Sequence, residues 1–582
     1  MDEAEVVEEI ELVDRRHSAS PVSEKVKKCD EKFYTVEDAV EKLGFGPFQI
    51  LVTVFAGLIW LADAMELMLL SVLSPNVKCL WDLSDSEEAS ITSVVFVGFF
   101  FGAFVWGAVC DVIGRKMGLL VVNVFVLVFG VLSAIPITSD PSAKYPAYPW
   151  LLLCRAGVGF GAGGTGQAVT YYAEFLPKRF RGVCITLQEM WWALGSILGA
   201  GLAVAVMVPG GLGWHWYLGL STIPLFIAVS LFVFIPESAR FYIVKGKYAK
   251  AEKVIKLIAR YNCKQPLQGV LVSFEEKERR EGCHNSEPVL VRYSEGDVVI
   301  GETSETLQQN EEDHPLLDDH DQSDSETTEI KDNVAVNFST KRRVQLVTAS
   351  LCTSVKSFLL KNLTLMFLNE MWKTTVLLFF LWFGAAWLYY GIVLLTTQFL
   401  QHDPHCGYVL NESNMTCEVL TRDDYISILW TGVAEVPGIV VTMVLVELIG
   451  RKLTMVAEFL LTMVGFLLLF VCGERILLTI FLFIIRAFAT GVFQAIFVYT
   501  PEVYPTTVRA FALGTCSAAA RIGAIITPYT AQVLVEHSDL ATISLYAGSC
   551  LVLAILSCLL PIETKGRSLT DGGAGKNEVG KR

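Results

Sequence analysis

GAVCDVIGRK, residues 107–116, decides the fold. An apolar run long enough to cross hydrocarbon stops there at Asp111, and another begins directly after Arg115 and Lys116, so the stretch reads as a tight charged turn at a lipid surface. A related stretch, VELIGRK at 446–452, sits between two further apolar runs and sets Glu447, Arg451 and Lys452 in the same order. Two copies of such a turn mark a duplicated membrane protein.

Composition agrees. The chain has 582 residues, 53% of them hydrophobic and 18% charged, with mean hydropathy +0.49. The repeated apolar runs exclude a set of soluble domains. The formal net charge of -14 comes largely from the N-terminal arm and one polar insertion, so it says little about a transport site. The 14 cysteines lack metal-ligand spacing and read mostly as small apolar fillers; neither a metal nor a cofactor is expected. The polar N-terminus has no basic start and apolar core, so no cleavable signal is expected, and the first crossing directs insertion. Thr35 to Gly44 reads as a short capped amphipathic helix lying on the membrane surface.

Twelve crossings follow, near 50–73, 91–109, 119–137, 150–172, 185–207, 215–235, 375–395, 427–446, 454–472, 476–498, 511–533 and 541–560. The expected architecture is all-α, in two six-helix halves. The divisions are an arm (1–49), a first half (50–236), a linker (237–374), a second half (375–561) and a tail (562–582), with a loop at 74–90 between the first two crossings.

Charges inside crossings are costly, so they are the candidates for function. Asp63 and Glu66 lie three apart on one face of the first crossing. Arg155 opens the fourth, and its role divides between pairing an interior acid and meeting substrate. Gln188 and Glu189, beside Trp191 and Trp192, suit a cavity wall in the fifth; Glu435 lies just ahead of Pro437 in the eighth; Tyr389, Tyr390, Gln398, Gln494 and Tyr499 are further pathway residues. Arg521 sits well inside the eleventh crossing, where a guanidinium needs an acidic helix partner, Glu435 among them, or an anionic ligand. The glycines from Gly157 to Gly166 superficially resemble a dinucleotide loop, but no strand precedes them, so close helix packing is the better reading.

Between the halves, 240–265 reads as a basic amphipathic helix or pair of helices. Residues 268–340 are polar and acidic, and disorder is expected there. Within that insertion Glu312 with Leu316 and Leu317 form an acidic dileucine-type signal for a sorting adaptor. Asn411 and Asn414 head glycosylation triplets, with Cys406 and Cys417 nearby as a pair that could bridge. Lysines and arginines gather on the side opposite the sequons, which makes that side, with both termini, cytoplasmic.

The duplication extends beyond the turn. YAEFLPKRFRG at 172–182 aligns with TPEVYPTTVRA at 500–510, matching Glu174 to Glu502 and Arg181 to Arg509. Arg155 matches Arg486, and PES at 236–238 echoes PIET at 561–564. Gly107, Asp111, Gly114, Arg115 and Lys116, their second copy, and the Glu-Pro-Arg turns resemble the major facilitator superfamily. LADAMELMLLSVL, YAEFLP, IPESARF, YYGIVLLTT, TPEVYPTTVRAFALGTCSAAARIGAIITPY and LPIETKGR resemble a vesicular branch near the organic-ion transporters, from which the 268–340 insertion departs.

The resemblance implies alternating access and secondary or facilitative transport of a small organic ion by a monomeric unit among membrane lipids. Arginine at position 521 resembles the organic-anion carriers and leans the substrate that way, with a proton as the coupled ion. Asp111, Arg115, Lys116, Glu174 and Arg181, with Glu447, Arg451, Lys452, Glu502 and Arg509, become gate latches. The alternative is a vesicle-membrane protein that keeps the fold for binding or trafficking. No nucleic-acid partner, ATP-binding loop or catalytic constellation is expected.

Overall fold

The computed structural model describes residues 33–138, 143–208, 210–274, 276–277, 291–294, 297–300, 364–367, 371–401, 420–471, 474–504 and 508–565. The crossings of the first half are Pro47–Trp81, Asp85–Ile113, Arg115–Ala134, Lys144–Ala162 continued by Gln167–Glu174, Lys178–Val206, and Trp214–Ser221 continued by Ile223–Leu231. Those of the second are Met371–Gln401, Arg422–Val433 continued by Glu435–Ile449, Arg451–Leu468, Arg475–Val503, Arg509–Pro528 continued to His537, and Asp539–Cys558. Ten of the twelve are long and apolar enough to cross a membrane by length and composition. The fourth is broken at Gly163–Gly166, and the ninth carries Arg451, Lys452 and Glu458.

The expected loop at 74–90 is almost entirely helical. The first crossing runs through Pro75 to Trp81 and stops at left-handed Asp82. Ser84 then starts the second, accepting the Glu87 amide while Glu87 reaches back to the Ser84 amide. Only three residues join the two helices. Aqueous ends of membrane helices need not be apolar, so hydropathy alone misses them.

Both halves pack by one plan. The first crossing lies on the fifth as the seventh lies on the eleventh; the second lies on the fourth as the eighth lies on the tenth. Glycine permits the second of these contacts: a Cβ at Gly102 would stand 1.9 Å from the Phe160 carbonyl oxygen, and one at Gly438 2.3 Å from that of Ala487. The halves meet through crossings five and eight and through two and eleven.

The chain divides into two compact units, one holding every crossing and the other combining the arm to Leu43 with residues from Tyr242. In the smaller unit, Thr35 caps Val36–Leu43 by exchanging hydrogen bonds with Asp38, and Gly44 follows at φ 61°. Its apolar face packs against Tyr248–Tyr261, so protein rather than lipid covers it. The basic segment is indeed a pair of helices, Ala239–Val244 and Tyr248–Tyr261. Phe33–Tyr34 pairs in parallel with Val270–Leu271. Val291–Ser294 and Asp297–Ile300 form a hairpin inside the stretch expected to be disordered, where short β-branched runs override the acidic composition.

Candidate functional site

Three groups of polar side chains occupy the interior of the bundle. In the first half, Asp63 accepts the Thr165 hydroxyl at 3.2 Å, and Glu66 pairs with Arg155. Arg155 also donates to Ser133 Oγ at 2.6 Å. Asp63, Glu66 and Thr165 line a cavity of about 30 Å³ with Ser221 and Thr222. Arg155 therefore takes the interior acid as its partner.

In the second half, Glu435 is fully buried at the start of the second segment of the eighth crossing, two residues ahead of Pro437. Its Oε1 accepts Nε and Nη2 of Arg486 at 3.0 and 2.8 Å and the Tyr389 hydroxyl at 2.9 Å. The chain of contacts continues across the halves. Trp192 donates to Tyr389 Oη at 2.7 Å, its ring lies 5.4 Å from that of Trp60, and Trp60 donates to Glu189 at 3.4 Å. Glu435 and Arg521 do not pair among the described residues, so of the options raised for Arg521 that one is not taken. Arg486, about three turns into the tenth crossing, takes Glu435 instead.

Arg521 instead presents its charge to the boundary between halves. Nη1 donates to Tyr390 Oη at 3.0 Å, and the guanidinium carbon lies 3.5 Å from the centre of the Phe99 ring. Tyr390 packs on Phe96 at 4.9 Å. No carboxylate forms an ion pair with Arg521 among the described residues, although Asp63 lies within electrostatic reach. Gln188 and Gln494 are buried, and neither amide has a hydrogen-bond partner among the described residues. Tyr499 donates to the Ile562 carbonyl at 2.6 Å.

Sequence reasoning missed a cluster at the end of the bundle away from the charged turns. Lys78 contacts Asp85 at 2.9 Å, Glu88 at 3.1 Å and Glu536 at 2.8 Å. Gln398 and Gln532 both donate to Glu88, at 2.9 and 3.2 Å. A π-helical turn, Tyr529–Val533, sets Gln532 there. The acids were visible in the sequence, but assigning them to a loop hid their helical positions. Nearby, Cys79 is disulfide-bonded rather than free, and every other described cysteine is free.

At the basic end, each charged turn is paired within its own half. Asp111 pairs with Arg115 at 2.8 Å, and Arg115 lies 3.6 Å from Glu174. Arg451 holds both oxygens of Glu502 at 2.9 Å and approaches Glu447 at 3.8 Å. Arg181 and Arg509 donate to the Leu176 and Tyr504 carbonyls. Two unforeseen acids join these turns: Glu237 accepts the Lys116 amide, and Glu563 accepts those of Arg451 and Lys452. Both belong to the proline-acid echo, which hinted at them. Glu312, Leu316, Leu317, Asn411, Asn414, Cys406 and Cys417 lie outside the described residues.

The sugar (and other) transporter family matches residues 23–292, and the major facilitator superfamily matches residues 426–579. Synaptic vesicle 2-related protein of Pongo abelii is 38% identical over 97% of this chain and 87% of its own. The chain belongs to the major facilitator superfamily. Another relative, organic cation/carnitine transporter 7 of Arabidopsis thaliana, is 34% identical over 94% of this chain and 97% of its own. The proton:xylose symporter XylE bound to 6-bromo-6-deoxy-D-glucose shares the fold at TM-score 0.57 and 18% identity, over 90% of this chain and 98% of its own. The protein is a multi-pass membrane solute transporter with the alternating-access fold, a reading these matches favour over a binding or trafficking protein.

Proposed function

We propose that this protein is a proton-coupled carrier of a small organic anion, with Arg521 as the principal charge contact. The observation that carries the reading is that Arg521 is held by a hydroxyl and an aromatic face, with no carboxylate ion pair among the described residues. An anionic group entering between the halves completes its hydrogen bonding, and the unpartnered Gln188 and Gln494 amides supply neutral donors and acceptors. Asp63 and Glu66 are the first half's candidates for coupling to a proton, and Glu435 is the second half's.

The halves are joined by Asn76 with Tyr425, Lys78 with Glu536, Gln398 with Glu88, and Ser93 with the Ile525 carbonyl. These contacts lie between mid-membrane and the end away from the latches. With the basic end cytoplasmic, they describe a carrier shut toward the sequon side. Each charged turn is paired within its own half, so parting of such a pair leaves the carrier shut toward the sequon side. A vesicle membrane is the expected location, with Glu312, Leu316 and Leu317 read by a sorting adaptor and Asn411 and Asn414 glycosylated in the lumen.

A cationic substrate is the second reading. It is favoured by Glu189, whose described polar contact is the Trp60 N–H, with no ion pair. Uptake into proteoliposomes of organic-anion and organic-cation panels separates the two. Arg521→Ala should lower anion uptake roughly 10- to 100-fold and spare cations; selective loss of cation uptake in Glu189→Gln instead would reverse the assignment. Replacing Leu316 and Leu317 together by alanine should move the protein to the plasma membrane, and an unchanged distribution rejects the sorting signal.

A further inference from the structure

The ninth crossing carries a carboxyl that none of these networks uses. Glu458 is 1% exposed within Arg451–Leu468. Its Oε1 accepts the Thr442 hydroxyl of the eighth crossing at 2.6 Å, while Oε2 has no hydrogen-bond partner among the described residues. Gly491 of the tenth crossing closes the third side: a Cβ there would stand 2.8 Å from Glu458 Oε1 and 2.3 Å from Thr442 Oγ1.

No cation pairs with Glu458 among the described residues, because the neighbouring ones are engaged. Arg486 of the tenth crossing holds Glu435 of the eighth. Arg451, on the same face of the ninth helix and about 10 Å toward the basic end, holds Glu502 and lies near Glu447. The twelfth crossing, packed along the ninth, brings Tyr546 and Cys550; Tyr546 is hydrogen-bonded to Thr530. An ionised carboxylate without a cation is costly in hydrocarbon, so this arrangement suits the protonated acid.

The duplication supplies an internal control. The offset that carries Asp111 to Glu447 and Arg115 to Arg451 carries Trp106 to Thr442 and Val122 to Glu458. The offset that carries Arg155 to Arg486 carries Phe160 to Gly491. In the first half these positions are packed: Trp106 lies 5.7 Å from the Phe160 ring and donates to the Phe160 carbonyl at 2.8 Å. A Cβ on Gly164 would meet Val122 at 2.7 Å and Trp106 at 2.8 Å. The fold is therefore satisfied at this place by large apolar side chains, and nothing in its packing calls for a carboxyl.

We propose that Glu458, rather than Glu435, whose Oε1 is held by Arg486, is the proton-carrying group of the second half. Its carboxylate takes one proton from the sequon side and, as the acid, holds it through the state seen here. When the Arg451–Glu502 pair parts, Arg451 is released to stabilise the carboxylate, and the proton leaves to cytoplasmic water. No covalent bond to substrate forms. The inference rests on the proton-coupled reading above and names where the proton sits.

Infrared difference spectroscopy on the full-length protein in lipid nanodiscs tests it without a substrate. The wild-type protein should show a protonated-carboxyl C=O band at neutral pH that disappears on alkalinisation. Glu458→Gln should lack about one carboxyl of that signal per chain, and Glu458→Asp should restore a titrating band at a shifted frequency. Two results overturn the assignment: a Glu458→Gln spectrum identical to wild type at every pH, or a Glu458 band that never titrates. If the titrating signal is instead lost in Asp63→Asn, coupling survives and Glu458 is excluded as its carrier. If no buried carboxyl titrates at all, the coupled reading falls with it. Should Glu458→Gln not fold, the shifted band of Glu458→Asp decides the case alone.

Discussion

The two halves share an arrangement of helices and differ in how their charges are connected. Arg155 and Arg486 occupy matching places, yet Arg155 pairs with Glu66 of the first crossing and Arg486 with Glu435 of the eighth, which are not matching helices. The remaining contact of Arg155 is Ser133 in its own half. Glu435, by contrast, also takes the Tyr389 hydroxyl, which is bonded to Trp192 of the first half. A repeat thus preserves packing while freeing polar contacts to diverge. The second-half ion pair is connected to the boundary that must open and close, and the first-half pair is not.

The largest expected effect follows from that difference. Arg486→Ala leaves Glu435 buried without its cation and should destabilise the protein by about 3–5 kcal/mol. Arg155→Ala should cost less, because Glu66 retains 14% exposure. Thermal unfolding of purified protein compares them, and equal losses would show that the boundary contact adds nothing. Joint replacement by Arg486→Met and Glu435→Leu should recover stability without recovering transport.

The fifth and eleventh crossings set a second contrast, since Glu189 lies in one and Arg521 in its counterpart. Removing one charge-assisted hydrogen bond, worth about 1.5–3 kcal/mol, should reduce anion uptake by Arg521→Ala roughly 10- to 100-fold. Arg521→Lys should fall between, because a lysine keeps the charge but not the planar contact with Phe99. Full activity in Arg521→Ala would remove Arg521 from the substrate path.

Where the halves are most alike, substitutions should act alike. Gly102→Ala and Gly438→Ala each place a methyl against a carbonyl of the neighbouring helix and should cost about 1–3 kcal/mol. Unfolding of the two variants in parallel measures this, and a neutral substitution in either half would show that its helices can separate freely.

Fold and site were unequally legible in the sequence. Crossings announce themselves through hydropathy, and the charged turns through their repetition, because both are local patterns. Partner choice is not local. Arg486 and Arg521 are similar intramembrane arginines by sequence, and only the approach of the tenth helix gives Glu435 to one rather than the other. Glu458 was visible as an acid within an apolar run and was passed over, since its isolation from any cation is a property of three packed helices. The Lys78 cluster was hidden by the mistaken loop, as helical ends in water carry no hydropathy signal.

The smallest expected effect separates the two charged turns. Glu563 accepts four backbone amides, from Arg451 and Lys452 at 3.0 Å, Thr564 at 2.9 Å and Lys565 at 3.1 Å. Its counterpart Glu237 accepts two, from Lys116 at 2.9 Å and Ser238 at 3.0 Å. Partial burial of the Glu563 carboxyl opposes ionisation, but the four amide donors, two at the start of the ninth helix and two from Thr564 and Lys565, outweigh it and hold its pKa below the ordinary glutamate value. A depressed folded-state pKa stabilises the protein above the unfolded value, about 4.3, and that contribution disappears as pH falls through the folded value. Glu563→Gln should therefore lower stability by no more than about 1 kcal/mol at neutral pH, since the carboxyl remains partly solvated. The gap between wild type and variant in thermal unfolding should close below about pH 4. A gap that persists unchanged into acid would mean that Glu563 acts through shape alone, as one more packed side chain under the turn, and the extra donors of the second half would then have no electrostatic consequence.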